Sequence, residues 1–220
     1  MATSRFSLDR PNFNNLPKRT DNMNILIIAP TEREFRNISA AIDAATSLRH
    51  RYIPVCSGIG KAAAAAAVTH AIATSESPID AVAIVGFAAG TLGYQQGEIV
   101  FPSVAQYHDC NVPEGFIPEL TNPIALHGGT KGVTVFTGDS FVDAEMVRNI
   151  KARFGVEHAI FDMEITAIAI AVKLCYSLPV VAMKMISDVP EAGHTEQSYD
   201  EFADSHSDFS AFITALNQMW

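Results

Sequence analysis

Positive charge is scarce in this sequence beside negative. Its 15 lysines and arginines are outnumbered by 24 aspartates and glutamates, a formal net charge of −9 at pH 7. A nucleic acid or an anionic membrane needs a basic face to displace counterions, so neither fits as a partner and a small molecule does. No apolar run approaches the roughly 20 residues that span a bilayer, and the alanine tract Ala62–Ala67 is too short and too weakly apolar to try. Cysteine is sparse. Cys56, Cys110 and Cys175 are odd in number and far apart, which argues against a disulfide framework or a metal-ligand cluster and leaves them as small buried thiols. Neither a metal nor a cofactor is expected. Internal repeats and domain linkers are missing too, so 23–220 reads as one domain. Residues 1–22 are polar and lack an apolar h-region, and are read as an N-terminal extension outside the core.

What is present is an alternation of short apolar runs with helical patterns. Asn24–Ala29 is a run with no polar interruption, the signature of a strand buried on both faces, and Thr31 stands ready to cap a helix whose apolar stripe is Phe35, Ile38, Ile42 and Ala45. Arg51–Cys56, the turn Ser57-Gly-Ile-Gly60 and the alanine-rich Lys61–Thr74 form a second strand, turn and helix. Asp80–Val85 reads as a third strand entering a small-residue loop, Gly86-Phe-Ala-Ala-Gly90. Further strands are expected at Glu98–Phe101, Val133–Thr137, Ala159–Met163 and Val180–Ile186, with helices at Ala144–Phe154, Glu164–Tyr176 and Tyr199–Met219. The fold class is therefore α/β, a mixed but mostly parallel central sheet flanked by helices. The Pro- and Gly-rich Asn111–Gly132 reads as an irregular mobile or interface-forming loop.

In open α/β sheets ligands bind beyond the carboxyl ends of the strands. Acids stand at three such ends: Glu34 after the first strand, Glu164 after Ala159–Met163, and Asp188 after the last. Taken singly, an acid there serves as readily as an N-cap or a solvated carboxylate; three together point to a site. Tyr107-His108-Asp109 invites a His–Asp pair, but neighbours on a strand point to opposite faces, so both are read as structural. A Lys184–Asp162 ion pair would tie the two strands that carry Asp188 and Glu164. His194, in the loop after Asp188, reads as a solvated loop histidine or as a residue closing over the site.

These residues resemble, in order along the chain, the nucleoside phosphorylase and nucleosidase superfamily, most closely 5′-methylthioadenosine/S-adenosylhomocysteine nucleosidase. The resemblance rests on Met23–Glu34, Ser57-Gly-Ile-Gly-Lys61, Gly97-Glu-Ile-Val100, Tyr107-His-Asp109, Thr137-Gly-Asp-Ser-Phe141, Asp162-Met-Glu164 with Thr166-Ala-Ile-Ala169, and Ile186-Ser-Asp188. It implies hydrolysis of the N-glycosidic bond of a purine nucleoside through a ribosyl cation by a cytoplasmic homodimer of methionine salvage. The alternatives are a hydrolase of futalosine or another modified nucleoside, a phosphorylase, or a catalytically silent relative. The implied roles are Asp188 as general acid at purine N7, oriented by Ser187, and Glu34 as the base that activates water. Glu164 would hold the ribose hydroxyls, Met163 would pack on the sugar, Phe141 would stack on the purine, and the Val142 backbone would read its edge. Phe87, beside Ala88 at the pocket, departs from the small or hydroxyl-bearing residue common in relatives, and Val112–Val133 is shorter than theirs. Arg33 is not expected to share a small pocket with Glu34, because successive helical residues point about 100° apart.

Overall fold

Asn24-Ile-Leu-Ile-Ile-Ala29 becomes strand β1 (Asn24–Ala29), buried from its second residue onward, with Ile25 and Ile27 on one face and Leu26 and Ile28 on the other. The computed structural model describes residues 22–110, 112–113 and 123–220. Thr31 closes a capping box at the start of α1 (Glu32–Ala44): its hydroxyl accepts the Glu34 amide, and the Glu34 carboxylate accepts the Thr31 amide at 2.9 Å. The chain continues through β2 (Arg51–Cys56), α2 (Lys61–Ala73), β3 (Ala81–Gly90), β4 (Ile99–Val100) and β5 (Pro102–Tyr107). After β6 (Ile124–Ala125) come β7 (Thr130–Thr137), α3 (Ala144–Phe154), β8 (Ala159–Asp162), α4 (Ile165–Cys175) and β9 (Val180–Asp188). A single 3₁₀ turn, Pro190–Ala192, leads to α5 (Glu196–Ser205) and α6 (Ser210–Met219).

One sheet runs in the order β2-β1-β3-β8-β7-β5-β6, with β9 paired to β3 and β4 to β9. Five of its pairings are parallel, and β3 with β8, β4 with β9 and β5 with β6 are antiparallel. Helices cover both faces. On one, Val68 of α2 and Ile168 and Val172 of α4 pack on Leu26, Ile28, Val82 and Ile84. On the other, Ile38 of α1, Phe202 of α5 and Phe212 and Leu216 of α6 pack on Ile25, Ile27, Ala83 and Val85. At the chain's end Trp220 stacks on His127, ring centroids 4.5 Å apart. None of the helices among the described residues is long and apolar enough to cross a membrane.

Four expectations are corrected. Gly86–Gly90 is not a loop but the second half of β3, because β9 stays paired with it through Ala89. The C-terminal helix is two helices, parted at His206–Phe209, where the Asp208 carboxylate accepts the Ser210 amide at 2.8 Å. Pro102–Tyr107 is a strand that its weak alternation does not reveal. The cysteines are free but not buried: Cys56 and Cys110 are partly covered and Cys175 is exposed. Residues 1–21, 111 and 114–122 lie outside the described residues; what is described of Asn111–Gly132 includes β6 and the start of β7.

Candidate active site

The site follows from how β3 is shared. Ala89 is in register with Asp188 of β9 on one edge and with Phe161 of β8 on the other, so β8 occupies the edge that β1 leaves after Ile84. β1 runs parallel to β3 and β8 antiparallel, so their carboxyl ends face each other across a gap beside Val85–Ala88. β1 delivers Pro30, Thr31 and Glu34 to this gap, β8 delivers Asp162, Met163 and Glu164, and the end of β9 delivers Ser187 and Asp188. They line one cavity of about 530 Å³.

Glu34 is buried, held by the capping box on one side and by the sheet on the other. Its Oε2 also accepts the Thr31 hydroxyl at 2.7 Å, and its Oε1 accepts the Phe87 amide at 2.8 Å, an amide that has no strand opposite it on that edge. Gly86, at φ +143°, is required here twice over: an L side chain rarely adopts that conformation, and its Cβ would collide with the Glu34 carboxylate.

Glu164 is the N-cap residue of α4, and its Oε1 accepts the Gly60 amide at 2.9 Å. Burial pushes its pKa up to about 7; the Asp162 and Glu34 carboxylates push the same way, against Lys184 and the Gly60 amide. Behind it, Lys184 Nζ lies 3.6 Å from Asp162 Oδ2, both side chains 1% exposed. Asp162 further accepts the Thr137 hydroxyl at 2.6 Å and the Ile165 amide at 2.9 Å, and the Thr166 hydroxyl bonds Thr137. Burial works against the Lys184 ammonium, but the Asp162, Glu164 and Glu34 carboxylates outweigh it and hold its pKa above the usual lysine value. The lysine is therefore a permanent buried cation among three acids.

Asp188 closes β9. Burial raises its pKa above the ordinary carboxylate value, opposed by the Ser187 hydroxyl and by His194. That hydroxyl lies 2.6 Å from Asp188 Oδ1 and 3.1 Å from the Ala88 carbonyl. With the acid protonated, its O–H can donate to Ser187 Oγ while the serine donates to Ala88, so every group is satisfied. His194 Nδ1 accepts the Val189 amide at 2.9 Å, which fixes its tautomer with the proton on Nε2.

All nine residues singled out from the sequence border this cavity, including Phe87, Ala88, Phe141, Val142 and Met163. Phe87 does so with its backbone edge; its ring turns away into a cluster with Tyr199, Phe202 and Phe209, centroids 5.4–6.2 Å apart. Phe141 is 49% exposed and stands edge-on to Tyr199 at 5.6 Å, forming the mouth. Tyr199 and Ile59 are lining residues that sequence reasoning missed. The former opens the expected helix Tyr199–Met219, where an aromatic reads as core; the latter sits in a turn. Arg33 corrects the expectation about it: it borders the same cavity as Glu34, at the rim, with its guanidinium 2.8 Å from Asp204 and 3.8 Å from Asp200 of α5. His108 and Asp109 do diverge. Asp109 accepts Lys61 at 2.7 Å, and His108 packs edge-on to Phe161, its pKa lowered by burial.

Fold and cavity together define a class: this is the nucleoside phosphorylase and nucleosidase fold, in the form seen in 5′-methylthioadenosine/S-adenosylhomocysteine nucleosidases. The nucleosidase of Colwellia psychrerythraea 34H, solved with adenine, superposes with a TM-score of 0.74 at 25% identity over 90% of this chain and 96% of that one. That of Neisseria meningitidis, solved with methylthio-immucillin-A, gives 0.73 at 24% identity over 87% and 96%. The futalosine hydrolase of Helicobacter pylori strain 26695 gives 0.72 at 18% identity over 88% and 96%. No protein-family model and no curated protein sequence matches the chain.

Proposed function

We propose that this protein hydrolyses the N-glycosidic bond of a purine nucleoside of the 5′-methylthioadenosine or S-adenosylhomocysteine type, releasing adenine and the ribose moiety. The observation that carries the proposal is the meeting of Glu34, Glu164 and Asp188 on one 530 Å³ cavity, each held by a different hydrogen-bond arrangement. The structures of like fold that hold adenine or a nucleoside analogue support the same reading.

In this mechanism Asp188, whose burial favours the neutral acid, donates its proton to purine N7 as the bond to C1′ lengthens, so the base leaves neutral. Phe141, exposed at the mouth, stacks on the departing ring, with the Val142 backbone at its edge. Glu164 in its ionised form accepts the ribose hydroxyls and places negative charge beside the developing ribosyl cation, and Met163 packs on the sugar. Glu34, fixed through both oxygens, positions a water below C1′ and takes its proton as the C–O bond forms. Atoms balance: the water oxygen goes to C1′, one of its protons to Glu34, and the Asp188 proton to adenine.

Water rather than phosphate is the acceptor. Arg33, the cation of the first turn of α1, already pairs with Asp200 and Asp204, and Glu32 and Glu34 would meet a dianion with like charge. The working form is proposed to be a homodimer; light scattering that gives a monomer at micromolar concentration counts against a shared site. The deciding assay is product analysis on a panel of methylthioadenosine, adenosylhomocysteine, adenosine and futalosine, with and without phosphate. Free base plus free sugar, unaffected by phosphate, is the expected result. Ribose 1-phosphate as the main product overturns hydrolysis, and turnover of futalosine alone overturns the substrate assignment.

A further inference from the structure

Two loops border the cavity opposite β1. One ends at Ile59-Gly60, whose Gly60 amide holds Glu164; the other is Ser140-Phe141-Val142, directly after Asp139. Neither is anchored by sheet pairing. They touch at Gly60, where a Cβ would come within 3.2 Å of Asp139 Oδ1, and Gly60 sits at φ +92°, so the contact depends on glycine.

Two side chains join them, those of Lys61 and Asp139. Lys61 Nζ lies 2.7 Å from Asp109 Oδ2 and 3.3 Å from Asp139 Oδ2, over the Tyr107 ring at 5.1 Å. The Lys61 amide donates to Asp139 Oδ1 at 2.9 Å, and the Asp139 amide donates to Asp109 Oδ2 at 3.0 Å. The end of β5, the turn after β7 and the start of α2 are thus stitched at one point, one residue from Gly60 and two from Phe141.

We infer that Lys61 is a positioning residue of this site: through Asp109 and Asp139 it sets the Gly60 amide against Glu164 and holds the loop that presents Phe141. The three side chains are 26%, 29% and 51% exposed, so the cluster fills no core, and ion pairs of that exposure add little to global stability. What it fixes is geometry. The groups facing Glu164 are Lys184 from β9, Asp162 from β8, Glu34 from α1 and the Gly60 amide. Removing Lys61 disturbs only the last. The amide favours the ionised acid, so its loss moves the titration of Glu164 to higher pH.

The inference rests on the hydrolysis proposed above, and its test keeps the two separable. Lys61→Met, Asp109→Asn and the double variant are compared with the parent chain by amide hydrogen exchange at Gly60 and Asp139 and by steady-state kinetics against pH. In Lys61→Met both amides lose protection, and the KM for the preferred nucleoside rises about twofold to fivefold, the span such a network covers. The acid limb of kcat/KM shifts upward while kcat on the plateau changes less than about twofold. The double variant matches the single ones, because both remove the same junction. Unchanged Gly60 exchange in Lys61→Met overturns the inference, as do additive effects of the two substitutions. If the parent chain cleaves no nucleoside, the hydrolysis proposal fails, and the exchange data alone still decide the role of Lys61.

Discussion

Glu164 is an acid that the fold tolerates at a cost, and replacing it with glutamine should expose that cost. Its pKa rises from 4.5 to about 7 on folding, chiefly through burial, so between those values the native state binds a proton that the unfolded chain has lost. Stability then falls as pH rises through that window, the reverse of a carboxylate stabilised by an ion pair. At 1.36 kcal/mol per pKa unit the destabilisation reaches about 3 kcal/mol above pH 7, an upper figure because the charges of Lys184 and Asp162 lie beside the buried acid. Glu164→Gln keeps the shape, and its amide oxygen still accepts the Gly60 amide. Urea unfolding of both proteins at pH 4.5 and at pH 8 reads the effect. The two midpoints should lie close together at the lower pH, and the glutamine variant should be the more stable at the higher, by about 1–3 kcal/mol. Turnover should fall at the same time, since a neutral amide places no negative charge by the ribosyl cation. A variant that is less stable than the parent at pH 8 refutes the reasoning, because the buried charge would then be a net gain to the fold.

Asp188→Asn should abolish turnover while adenine still binds by calorimetry, since the amide retains shape and loses the proton; more than a tenth of the parent rate removes Asp188 from the acid role. Gly86→Ala should depress kcat by about 10²–10⁴, as Glu34→Gln should, because the added methyl displaces the carboxylate proposed as the base; a rate above half the parent's would show that the carboxylate position is not critical. Lys184→Met leaves three buried carboxylates without a counter-ion, a loss expected to cost about 3–5 kcal/mol in chemical unfolding, and a midpoint within error of the parent's would contradict the buried-cation reading.

Strand β1, helix α1 and the acids at the ends of β1, β8 and β9 could be read from the chain because each is a local pattern: an unbroken apolar run, a capping threonine before an apolar stripe, a charge at a strand end. The Lys184–Asp162 pair was legible for the same reason, as two ionisable residues on neighbouring buried strands. Gly86–Gly90 was not, since four small residues around one phenylalanine look like a turn and only the pairing with β9 makes them a strand. Tyr199 escaped notice because its role depends on the break at His206–Phe209, which packs α5 across the mouth. Arg33 was misjudged because the cavity is wide enough to span the first turn of α1, a tertiary dimension that helical angles do not carry.

The gap in the sheet between the ends of β1 and β8 has a consequence for how such chains lose their activity. Glu34 fills that gap by accepting the Phe87 amide as a missing strand would, so it serves the fold whether or not any substrate is turned over. A lineage released from selection on catalysis would keep Glu34 to satisfy that amide, and would shed Glu164, whose ionised form the fold disfavours. Retention of the first acid is therefore poor testimony to activity in a relative of this protein. Retention of the second, against the grain of stability, is the better witness.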